Sequence, residues 1–158
     1  QIGCAACHKP FLELNSSVYT EPNPFNPPGT LVSYSIPDKY QIDLAEHSKS
    51  NTIRKTEQGT YLVYAYTDLK RHNMGSTLDN ETIEQRFVET NSWITRKLWG
   101  IMSEPPFLHH GRATLLQEAI TAHGGEANSS RENYEKLADD DKNAIVEFIK
   151  TFHATQQP

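Results

Sequence analysis

The chain has few residues of the kinds that ligate metals through sulfur: of its 158 residues only two are cysteine and two are methionine. A structural zinc site needs about four nitrogen or sulfur ligands, so scattered histidines alone would have to complete one. No run approaches the ~20 apolar residues that a membrane span requires. Basic residues do not cluster, and 15 Lys and Arg stand against 20 Asp and Glu for a formal charge of −5. Nucleic-acid binding therefore lacks its electrostatic footprint. An initiator Met and a leader are missing too: the chain opens at Gln1, which reads as a fragment with an upstream region expected before it. With 36% hydrophobic and 22% charged residues, the length supports one domain, 1–158, with a real core.

Most of the prolines fall between residues 11 and 40, including the run from Pro22 to Pro28. That segment reads as an ordered surface loop with a short strand at Leu31 to Ile36. Its length fits either a covering or docking role or a tolerated insertion. Thr60 to Tyr66 favours a strand by propensity. Thr114-Leu115-Leu116-Gln117 reads as a capping box for a helix to His123, with Gly124-Gly125 as its left-handed stop. A second helix is expected near Asp139, its acidic first turn suited to the positive end. Its buried stripe would be Ala144, Ile145, Phe148, Ile149 and Phe152.

What the chain does have, within its first eight residues, is Cys4-Ala5-Ala6-Cys7-His8. This is the C-x-x-C-H spacing of c-type haem attachment. Two cysteines three positions apart on one helical turn can form thioethers along one haem edge, and the next residue then turns its imidazole to the iron. The second ring nitrogen of such a ligand normally donates to a carbonyl and fixes the tautomer. Three other readings compete. A thioredoxin-like C-x-x-C would open a long helix, but Pro10 cuts any helix short; a zinc site lacks a third Cys; a plain Cys4–Cys7 disulfide remains open.

The sixth iron ligand separates functions: Met raises the potential, a second His lowers it, and an empty position suits catalysis. Met74 lies in the polar Lys70-Arg71-His72-Asn73-Met74-Gly75, where core packing is a weak explanation, and Gly75 would let backbone approach a flat ring. Met102 follows Trp99 and Ile101, where core packing is the ordinary explanation. Met74 is therefore the expected ligand, with His72 as a substitute. His109 and His110 could border the haem; His47, His123 and His153 read as surface or helix-end residues. Arg112 is the candidate propionate partner, since a guanidinium matches a carboxylate. Trp93 and Trp99 read as core.

Ile2-Gly3-Cys4-Ala5-Ala6-Cys7-His8, Tyr66-Thr67-Asp68-Leu69 and His72-Asn73-Met74-Gly75 together resemble the C-terminal haem domain of bacterial di-haem oxidoreductases related to cytochrome c peroxidase. Leu98-Trp99-Gly100-Ile101, Pro106-Phe107-Leu108-His109-His110-Gly111-Arg112 and His123-Gly124-Gly125-Glu126-Ala127 continue the likeness in order, as does the closing segment from Tyr134 to Phe152. The resemblance covers residues 2–8 and 61–152. It departs from the family at His110, where Asp is usual, and before Leu98, where the usual Thr-Pro-Pro is absent.

The resemblance implies a relay domain serving a second haem domain, and it supports Met74 as ligand. The expected fold is mainly α: a cytochrome c-like domain with long loops and a short β element. The expected cofactor is one covalent haem c with its iron, held by Cys4, Cys7, His8, Met74 and Arg112. The expected activity is single-electron transfer with a redox partner protein or second haem domain, with no membrane span and a periplasmic location. The alternatives are a peroxidase- or oxidase-type haem with an open distal site, and a haem-based sensor.

Overall fold

Strand propensity around residues 60–66 is realised only at its centre, because only there does the backbone find partners on both sides. The computed structural model describes residues 2–27, 40–47 and 53–152; the strand expected at 31–36, and His153, lie outside the described residues. β1 (Leu12–Leu14), β2 (Val18–Glu21), β3 (Tyr40–Asp43), α1 (Leu44–His47), β4 (Ile53–Lys55) and β5 (Tyr61–Val63) follow in order. β5 is the centre of an antiparallel sheet ordered β1-β5-β4, with Leu12 opposite Val63 and Lys55 opposite Tyr61. The β4–β5 turn closes through the Thr56 amide on the Thr60 carbonyl at 2.8 Å. β2 and β3 form a separate hairpin. Where a surface loop is expected from residue 11 onward, β1 and β2 form instead, supplied with hydrogen-bond partners from distant segments that local propensity does not register.

Among the described residues, those within 12–64 make one compact unit, and residues 2–11 with 65–152 make the other. The second unit carries β6 (Arg71–Asn73), paired antiparallel with β7 (Ser92–Ile94), then α2 (Leu116–Thr121), α3 (Asn128–Glu135) and α4 (Asp139–Lys150). Its core gathers Phe107, Ala113, Leu116 and Val146, with Ile101, Leu108, Ala119 and Ile149 packed against them.

The fold is mixed α/β, which corrects the mainly-α expectation. Among the described residues four short α-helices share the chain with seven strands in three antiparallel sheets. Even the longest helix has 12 residues, close to the length below which a helix needs tertiary packing to persist. α4 begins at Asp139 as expected, but its packed face is rotated: Val146 is buried, whereas Ala144 and Phe148 are exposed. The closing segment from Tyr134 is also two helices, since the chain leaves helical geometry between Glu135 and Asp139.

Candidate haem site

The two cysteines sit on a single 3-10 turn, Cys4–Ala6, entered through Gly3 at φ 100°. That left-handed entry is open to glycine at no steric cost, and a Cβ there would come within 2.6 Å of the Ser130 hydroxyl on α3. The turn closes with the His8 amide on the Cys4 carbonyl at 2.9 Å. Both thiols are free, Cys4 exposed and Cys7 half-buried. Burial raises the thiol pKa of each, and for Cys7 the Asp68 and Glu126 carboxylates add to the rise. A redox-active C-x-x-C needs the opposite shift, so this turn is a poor thiol–disulfide exchanger.

His8 is half-buried, and its Nδ1 donates to the Tyr66 carbonyl at 3.0 Å. This leaves Nε2 without its proton, the form in which imidazole ligates a metal. Burial lowers the His8 pKa, against the rise from the Tyr66 bond, and the neighbouring His123 adds to the lowering. The acceptor is aimed by an unusual backbone: Tyr66 has φ 54° and Leu69 φ 56°. Left-handed non-glycine residues persist only where surroundings over-determine them. Here the surroundings are the Tyr66 ring, stacked on Phe152 at 3.7 Å, and Thr67, which has 0% exposure. Thr67 donates its hydroxyl to the Thr95 carbonyl at 2.6 Å and accepts the Leu69 amide at 3.0 Å.

Met74 follows β6 directly and is buried, at 9% exposure, while Met102 is 41% exposed. The contrast expected from their neighbours is reversed. Met74's polar neighbours lie on a hairpin whose end turns inward, with the Met74 amide on the Asn91 carbonyl at 2.8 Å. Gly75 (φ 72°) runs against Gly124 and Gly125 at this point. A Cβ on Gly75 would stand 2.7 Å from the Gly125 nitrogen, and one on Gly124 would stand 2.8 Å from the Met74 carbonyl. The two backbones cross with no room for side chains, and Met74 and His123 flank the crossing. α2 ends at Thr121 with Ala122 as its cap, short of the expected His123, so Gly124-Gly125 is a packing site rather than the left-handed helix stop read from sequence.

His72, the expected substitute ligand, is tied at both nitrogens. Nε2 donates to Asp68 at 2.9 Å and Nδ1 to Glu126 at 2.8 Å, which raises its pKa. Glu126 also accepts the Asn73 amide at 2.8 Å. For Asp68, burial works against the charge, but the Lys70 amide and the His72 ring outweigh it and pull the carboxyl down to about 2. Ligand atoms of Cys7, Asp68 and His72 lie within 4.8 Å of one another, so this bridge sits beside the second cysteine. Sequence reasoning missed the roles of Asp68 and Glu126; the four-residue spacing of Asp68 and His72 was the visible signal.

His123, read as a surface or helix-end residue, follows the end of α2 with its ring centroid 6.4 Å from that of His8. Its Nδ1 donates to the Ala119 carbonyl at 2.7 Å. His109 is held apart from this cluster, stacked on Trp93 at 3.6 Å and bonded through Nε2 to Asn80 at 2.8 Å. His110 accepts the Arg112 amide at 3.2 Å, and the Arg112 side chain is exposed. Trp93 and Trp99 are both half-buried.

A protein-family model described as "Di-haem oxidoreductase, putative peroxidase" matches residues 46–152. The match takes in Met74 and His123 and leaves the Cys4–His8 turn outside its bounds. No curated protein and no solved structure matches the chain.

Proposed function

The chain belongs to the di-haem oxidoreductase family, and from that premise we propose that it holds one covalent haem c on Cys4, Cys7 and His8 and passes single electrons through it. The observation that carries the reading is His8: a C-x-x-C-H histidine whose Nδ1 is committed to the Tyr66 carbonyl, so that Nε2 is the ligating atom. The donor set fits the group. Two free thiols lie on one turn, and the chain carries a sulfur and an imidazole donor, Met74 and His123, each next to a glycine of the backbone crossing.

Bound there, the haem would supply a one-electron ferric–ferrous couple. The protein's part is to hold that couple still. Thr67 and the Tyr66–Phe152 stack fix the carbonyl that orients His8. The Asp68–His72–Glu126 bridge ties β6 to the segment after α2, which keeps Met74 in register. We assign Met74 as the sixth ligand, a choice that raises the potential and closes the iron to substrates. Arg112 is assigned to a propionate through its exposed guanidinium. The role follows from the closed iron: a relay serving a second haem domain or a redox partner protein, with a basic docking face matching the chain's net negative charge. A periplasmic location is part of the same proposal, supported by the covalent haem attachment to Cys4 and Cys7 that it assumes.

The test is a pyridine haemochrome assay on the chain produced with a haem c assembly system, followed by ferric and ferrous spectra. One covalent haem per chain and a ferric band at the red end typical of Met–iron ligation are expected. Pigment that extracts freely into acid would overturn covalent attachment, and a high-spin ferric spectrum would replace the relay by a peroxidase- or oxidase-type open site.

A further inference from the structure

We infer that His123 is a reserve axial ligand: when Met74 is off the iron, the His123 imidazole closes the coordination position opposite His8. The inference rests on the haem c reading above and names a further residue of the same site.

Three observations carry it. The His8 and His123 ring centroids are 6.4 Å apart. Two imidazoles that share one metal ion through Nε2, each nitrogen about 2 Å from the metal, have centroids roughly 6 Å apart. The 51° between the ring planes is no obstacle, because axial imidazoles can take any rotation about their common axis.

The second observation is the tautomer. His8 gives Nδ1 to the Tyr66 carbonyl, and His123 gives Nδ1 to the Ala119 carbonyl. Such an outer bond is what metal-ligating histidines ordinarily have. Among the histidines whose side chains are described no other has this arrangement. His72 is bonded at both nitrogens to carboxylates, His109 is bonded through Nε2, and His110 accepts a backbone amide.

The third is attachment. His123 directly precedes Gly124, whose Cα lies so near the Met74 carbonyl that a Cβ would reach within 2.8 Å of it. Met74 and His123 are therefore carried by one close backbone crossing, and the His123 ring lies beside that of His8. One ligand can take the place of the other without a rearrangement of the fold.

The experiment compares the haem-loaded full chain with Met74→Ala, His123→Ala and the double variant, by electron paramagnetic resonance, ferric absorbance and carbon monoxide binding to the ferrous form. Met74→Ala is expected to lose the red-end band yet remain low-spin with a bis-imidazole signature and a lower potential. His123→Ala is expected to keep the Met band. The double variant is expected to become high-spin, to bind carbon monoxide readily, and to return to low-spin on addition of free imidazole. A Met74→Ala protein that is already high-spin, or a double variant indistinguishable from Met74→Ala, would overturn the inference. Covalent haem measured by haemochrome in every variant separates these results from failure of attachment, which would sink the underlying haem c reading instead.

Discussion

Thr67 and the glycines of the backbone crossing show how much of the site depends on single small residues. Thr67 is fully enclosed and makes two hydrogen bonds, one in each direction. Thr67→Val keeps the shape and strands both partners, so a loss of about 1–3 kcal/mol of unfolding free energy is expected; chemical denaturation of the purified protein measures it. Because Thr67 supports the Tyr66 carbonyl, the same variant should broaden the low-spin haem signal. Gly75→Ala would place a methyl group 2.7 Å from the Gly125 nitrogen at φ 72°. Backbone cannot yield as a side-chain tip does, so this variant is expected to lower the melting temperature and weaken the Met–iron band together. An unchanged band would separate the crossing from ligand placement. At this scale Met74 was legible from its neighbours only as a candidate ligand. That it is buried while Met102 is exposed came from the β6–β7 pairing, which turns a polar sequence inward.

The helices show a different division between what is local and what is not. The capping signal before α2 was legible, but only half of a box forms, one residue on, because the cap position falls on a leucine with no polar side-chain atom. Leu115 rather than Thr114 is the cap position, and Glu118 rather than Gln117 reaches back, accepting the Leu115 amide at 3.0 Å and the Thr114 amide at 2.7 Å. These bonds, the Leu115 amide foremost, lower the Glu118 pKa from 4.5. A carboxylate with a depressed pKa contributes its stability above the unfolded value, and that contribution is lost as pH falls through the folded one. The stability margin of the native chain over Glu118→Gln should therefore be full above pH 4.5 and shrink in more acidic solution. Melting curves across that range test it, and a margin that grows on acidification would contradict the cap. Leu116, inside the helix, is buried in the core with Phe107 and Val146. Leu116→Ala should cost about 2–5 kcal/mol, read from a urea titration. In α4 the start was legible from three consecutive aspartates, while the buried face was not. Apolar residues run around more of this helix than its neighbours cover, so periodicity alone did not choose Val146 over Phe148.

Across the whole molecule, residues 12–64 belong to a unit of their own, and its first and last strands are hydrogen-bonded neighbours. Leu12 on β1 pairs with Val63 on β5, so the chain leaves and returns at adjacent points, as an insertion does. Replacing residues 12–64 with a short glycine-containing turn should leave Cys4, Cys7, His8, Met74 and His123 in place. Such a protein is expected to attach haem and keep the parent spectrum; loss of the low-spin signal would show that the inserted unit completes the site.

The proposed attachment chemistry rests on the sequence alone, because C-x-x-C-H acts within one turn of backbone and needs only residues adjacent in the chain. The family resemblance was legible too, in short pieces occurring in a fixed order. Only the tertiary structure decided the strand content, the reversed exposure of the two methionines and the neighbour of His8. The Tyr66 carbonyl that orients that ring lies 58 residues away, and His123 lies farther still. Local propensity carries no information about such distances. They are set when β6, the end of α2 and the first turn are brought together, and the glycine crossing is what lets them meet so closely.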